Sequence, residues 1–147
     1  MSLFDNILGN NTVENKLTAT EAFAAITLVA VACDGYLSDK EAESVCFALS
    51  KIHLFQGYSR ERINALLEKL LEVLRNNGLN ALFNAAKASL SEEMRESAFA
   101  IAVDLVLMDG KVTSEEHEFL NDLCQALGIK REMAMQIVQV MMIKHRS

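Results

Sequence analysis

Apolar residues recur along this chain at helical spacing, and the breaks between the recurrences carry helix-stop and helix-start chemistry. Three capping boxes, Thr18-x-x-Glu21, Ser38-x-x-Glu41 and Thr113-x-x-Glu116, each open a helix, and Leu17 is placed to staple the first. The helix from Thr18 is predicted to run to about Cys33. The one from Ser38 presents Ala42, Val45, Ala48, Leu49 and Ile52; the one from Thr113 presents Phe119, Leu120, Leu123 and Leu127, and Gly128 closes it. Ser59 caps a helix with Ile63, Leu66, Leu67, Leu70, Leu71 and Leu74 on one face, ended by Asn76-Asn77-Gly78. Leu79 to about Ala88 is a shorter amphipathic piece. Ser91 caps a long helix predicted over Glu92 to Met108, and a last helix runs from about Arg131 to Lys144 with Met135, Val138 and Met142 in its stripe. Leu3, Phe4, Ile7 and Leu8 predict a short N-terminal helix. No stretch alternates convincingly with period two.

Two segments, Phe23 to Cys33 and Ala98 to Met108, are apolar almost all round. A helix with no polar face is buried, so these two are expected to form the centre of a bundle and pack on one another, with Ala24, Ala25, Ala30, Ala100 and Ala102 permitting close approach.

The punctuation itself repeats. Asp34-Gly35-Tyr36-Leu37-Ser38-x-x-Glu41 returns as Asp109-Gly110-Lys111-Val112-Thr113-x-x-Glu116, at a constant offset of 75 residues from Asp34 to Asp109 and from Glu41 to Glu116. The same offset pairs Val31 with Val106, Val45 with Leu120 and Ile52 with Leu127. The predicted fold is all-α: a single bundle of about seven helices over residues 1–147, with an internal pseudo-two-fold helix–turn–helix repeat whose copies span about 18–56 and 92–130.

Composition supports this. Proline is absent from the 147 residues and only 6 are glycine, so little interrupts long helices. A net charge of −6 argues against nucleic acid as a partner, because phosphates demand a basic stripe. The basic tail Lys144-His145-Arg146 reads as cations favoured at a helix C-terminus, and His53 and His145 as ordinary terminal histidines. Cys33, Cys46 and Cys124 lie in apolar helical stretches without C-x-x-C spacing and read as buried thiols in a reducing compartment. The longest apolar run, Ala22 to Cys33, is far short of the ~20 residues of a membrane span, and no signal peptide is evident. The expectation is a cytoplasmic protein with no direct membrane insertion.

The repeated turn coincides with the second half of a calcium EF-hand loop, the Asp at loop position five and the Glu at position twelve. Positions one and three then fall on Ala30 and Ala32 in one copy and on Leu105 and Leu107 in the other, so half the ligands are missing twice and that reading is rejected. The glycines supply a positive φ, and the Ser/Thr and Glu residues form the caps. The two aspartates are left, and an Asp before Gly can bond to local backbone.

Asp104 resists such an account. It lies mid-helix among apolar residues, and its partner at the offset is Val29. An unpaired buried carboxylate costs several kcal/mol. It therefore predicts either a pairing with Lys, Arg or backbone, or a cation site shared with Asp34, Asp109 or a capping glutamate. Oxygen ligands suit Ca, Mg or Mn, and His117 would admit Zn. No phosphate loop, zinc-protease motif or nucleophile elbow is present, and the paired Glu-x-x-His motifs of a di-metal bundle enzyme are absent. The Met-rich end, with Met133, Met135, Met141 and Met142, is either core or a partner-facing groove.

An Ala-rich apolar helix running into D-G-x-[VL]-x-x-x-E, twice in a chain of this length, resembles the TerB-like family of tellurite-resistance proteins. The matching segments are residues 30–41 and 105–116, and the resemblance extends over about 18–130. It implies a non-enzymatic helical module of tellurite and general stress resistance, acting in metal-sensing or membrane-associated protein complexes. By position, Asp34, Glu41, Asp109 and Glu116 become the candidate cation ligands, with Asp104 added from its own burial. Tyr36 and Lys111 depart from the pattern, and Lys111 sets a positive charge beside the second turn. Related domains accompany co-chaperones, so a scaffold or adaptor without a metal is the alternative.

Overall fold

Five helix starts lie where Thr18, Ser38, Ser59, Ser91 and Thr113 place them. The computed structural model describes residues 17–32, 35–108 and 112–146. Within them are seven α-helices, α1 (Ala19–Ala32), α2 (Asp39–Ser50), α3 (Arg60–Asn77), α4 (Leu79–Ala88), α5 (Glu92–Val106), α6 (Ser114–Leu127) and α7 (Arg131–His145), with a single 3-10 turn at His53–Phe55. No strand occurs among the described residues. The expected N-terminal helix, Cys33, Asp34, Asp109, Gly110 and Lys111 lie outside them.

All three capping boxes form. The Glu21, Glu41 and Glu116 carboxylates accept from the backbone N–H of Thr18, Ser38 and Thr113, and each hydroxyl accepts in return from the glutamate N–H, at 2.9–3.1 Å throughout. Ser59 and Ser91 accept from the N–H groups of Arg62 and Met94. Gly128, with φ +72° and ψ +26°, closes α6. One end departs from expectation: α5 stops at Val106 rather than Met108. The Leu107 N–H still reaches the Val103 carbonyl, but the Met108 N–H bonds to Leu105 and tightens the last turn out of the helix.

Burial follows from the polarity of each helix. Ala22 to Val29 of α1 are buried without interruption, and α1 packs most extensively on α5, then on α4 and α3. Its buried Thr27 hydroxyl donates to the Ala24 carbonyl 2.8 Å away, so it needs no partner from another helix. The 3-10 turn, which the periodicity does not announce, drives Phe55 into the core against Phe23 and Tyr58, both edge-on. Cys46 and Cys124 are buried free thiols. Burial pushes the Cys124 thiol upward in pKa, the direction of an unreactive thiol.

Candidate functional site

The closing ends of α1 and α5 and the first turns of α2 and α6 meet in one place. Ala30, Val31, Leu105, Val106 and Met108 supply the apolar part of a groove of about 360 Å3, and Lys40, Glu41, Ser44 and Glu116 its polar part. Glu41 and Glu116, the two capping glutamates that the sequence places 75 residues apart, thus line the same groove. Each uses Oε1 to accept from its own cap backbone, at 3.0 Å, which leaves the second oxygen outside the cap. Lys40 stands with them, so a bound cation would share the groove with an ammonium.

Asp104 is satisfied differently. Lys144 Nζ donates to both carboxylate oxygens, at 2.9 and 3.0 Å, and His145 Nε2 lies 2.5 Å from Oδ1. Burial works against the charge of this side chain, which is 14% exposed, yet the hydrogen bonds from Lys144 and His145 and their Coulombic attraction outweigh it and hold its pKa below the usual value. Of the two readings open to this residue, the ion pair is the one present. The expectation for His145 is corrected here: it is a terminal histidine with a tertiary partner. The basic tail, read as cations serving the dipole, instead ties α7 to α5.

Of the five candidate ligands, then, Glu41 and Glu116 share a groove and Asp104 sits in an ion-pair cluster, while Asp34 and Asp109 lie outside the described residues. His117 is exposed on α6. Among the described residues, no three His, Cys, Asp or Glu side chains are grouped as a metal would require. Glu21 resembles Asp104 in its chemistry: burial opposes its charge, but bonds from Thr18 and from Lys69 at 2.9 Å lower its pKa. These shifts have local structural causes and mark no poised acid–base pair.

A second, wider groove of about 880 Å3 separates α2 from α3, with Asp39, Glu43, Glu68 and Glu72 on its walls and Leu67 and Leu71 at its base. It is the larger of the two, but none of Glu41, Asp104 and Glu116 lines it, and its acids stand on two solvated helix faces. Arg75, at its edge, donates from Nε to the Gly35 carbonyl at 2.9 Å and so ties the first turn to α3. The sequence carried a signal for the Asp104 cluster, a lone mid-helix carboxylate and a basic tail. It carried none for the Arg75 tether or for Lys40 in the groove.

Gly35 has φ +85°, a left-handed conformation that an L side chain enters at a cost. A Cβ there would meet Arg75 Cγ at 3.5 Å, an ordinary contact, so the strain is conformational and not steric. Gly35→Ala is expected to cost about 1–2 kcal/mol, read as a lowered denaturant midpoint with unchanged slope.

No family model, no curated protein and no solved structure matches the chain. No helix among the described residues is long and apolar enough to cross a membrane.

Proposed function

We propose that this chain is a non-enzymatic, TerB-like helical module of the tellurite- and stress-resistance kind, working in a protein complex, with its two Asp-Gly turns holding a divalent cation. The observation that carries the reading is the convergence of Glu41 and Glu116 on one groove. An internal pseudo-two-fold relation between residues 18–56 and 92–130, with its axis between the two turns, would account for it. Asp34 and Asp109, next to the glycines of those turns, complete a four-carboxylate set suited to Ca, Mg or Mn. Asp104 stays outside that set, since Lys144 and His145 already occupy its oxygens.

The adaptor reading, without a metal, draws support from the caps: each glutamate already serves its own helix, and Lys40 shares the groove. One experiment separates the two. Calorimetric titration of metal-free protein with Ca, Mg, Mn and Zn is expected to give heat and an upward melting shift with at least one cation. Saturation at a hundredfold excess over Kd corresponds to about 2.7 kcal/mol. Asp34→Asn and Asp109→Asn abolish the response, and Asp104→Asn leaves it. Absence of heat and of any melting shift with all four cations overturns the cation and leaves the adaptor.

A further inference from the structure

Helix α7 is held to the rest of the molecule along one narrow edge. Ala134 is its single buried residue, and Ile137, Val138 and Met141 are partly covered where it packs on α5 and α6. Met133, Met135, Val140, Met142 and Ile143 are exposed, half of all the large apolar side chains exposed among the described residues. An isolated exposed apolar residue needs no explanation, but a concentration of them on one helix marks a contact surface.

The order of residues on that surface says what covers it. Glu132, Met135, Gln139, Met142 and Arg146 follow one another at steps of three and four, so they form one outward stripe, all exposed. The stripe is symmetric about Gln139. A methionine stands within four residues on either side, and seven residues away stand opposite charges, Glu132 at one end and Arg146 at the other.

We propose that this face pairs with the same face of a second copy of the chain, the two α7 helices running antiparallel about a two-fold axis at Gln139. Glu132 of each copy then meets Arg146 of the other, twice over. Methionines pack across the seam, where their flexible side chains adapt to one another, and the glutamine amides face each other, each able to donate and accept. A two-fold pair needs a self-complementary surface, which this stripe is. Parallel pairing would set Glu132 against Glu132 and Arg146 against Arg146, and like-charge repulsion disfavours it. Lys144 and His145 remain on Asp104, so the pairing leaves the α5–α7 tie intact. A single pair of four-turn helices buries less than the ~1,600 Å2 of a standard stable interface, so a weak, concentration-dependent dimer is expected.

Sedimentation equilibrium of the full chain from about 1 to 500 µM brackets that strength. The expected result is a mass rising with concentration from 16.3 kDa towards twice that value. Met135→Glu and Met142→Glu each weaken association at least about tenfold. Glu132→Arg and Arg146→Glu alone each weaken it about tenfold, since both ends of the seam then carry like charges, and the double variant restores it to within about threefold. Far-UV circular dichroism confirms that each variant folds, as every substituted residue is exposed. A monomer at all concentrations overturns the proposal. A dimer indifferent to the charge reversals overturns it too, by placing the interface elsewhere. Both readouts are independent of the cation titration.

Discussion

Phe23→Ala is expected to remove about 3–5 kcal/mol of folding stability. Phe23 has no exposed surface. It lies in the first half of α1, the helix on which α5, α4 and α3 all converge. Its ring meets Phe55 edge-on at 6.2 Å between centroids, and Phe55 in turn meets Tyr58 at 5.4 Å. Truncation loses the transfer free energy of the ring and leaves a cavity that rigid neighbouring helices cannot close. For a domain whose total stability is about 5–15 kcal/mol, such a loss threatens the fold at growth temperature. The check is equilibrium unfolding in urea, with a large fall in midpoint and little change of slope. Phe47→Ala is the control: that ring is 57% exposed on α2, and its removal should change stability by under about 1 kcal/mol. Phe55→Ala combined with Phe23→Ala should cost less than the two singles added, because the rings share one contact.

Asp104→Ala comes next, at about 1–2 kcal/mol. Hydrogen bonds to a charged group contribute about 1.5–3 kcal/mol each when they are buried. Lys144 is 57% exposed, however, so water screens its share of the effect. The pH dependence has a definite sign. The folded protein holds the Asp104 pKa below its usual value near 3.8, so the native state favours the carboxylate more than the unfolded chain does. The contribution is whole at neutral pH and is lost as pH falls through the folded-state pKa, below about 4. Melting curves of wild type and Asp104→Ala should therefore differ most near pH 7 and draw together in acid. Lys144→Ala should fall short of Asp104→Ala at neutral pH, as it leaves His145 in place.

These two predictions stand at opposite ends of what a sequence can disclose. That α1 is buried follows from an unbroken run of apolar side chains, and Phe23 could be placed in the core from that run alone. Phe55 could not, since the 3-10 turn that delivers it has no periodicity of its own. The need of Asp104 for a partner was equally plain from its neighbours. Which partner was not, because Lys144 and His145 lie 40 and 41 residues further along the chain. As a sequence, the tail satisfied a simpler demand, that of a helix C-terminus for positive charge.

The sequence by itself determined the capped helix starts and the all-helical class of fold, though not every helix stop. Caps and glycine turns are closed by hydrogen bonds between residues three or four apart, and their free energy depends little on the rest of the molecule. The tertiary structure alone decided that Glu41 and Glu116 share a groove with Lys40, that Asp104 pairs with α7, and that Met133, Met135 and Met142 of α7 face outward while Met141 packs inward. Each of these depends on how finished helices are set against one another. Packing fixes that arrangement through shape and buried area summed over many residues, and no local pattern contains the sum.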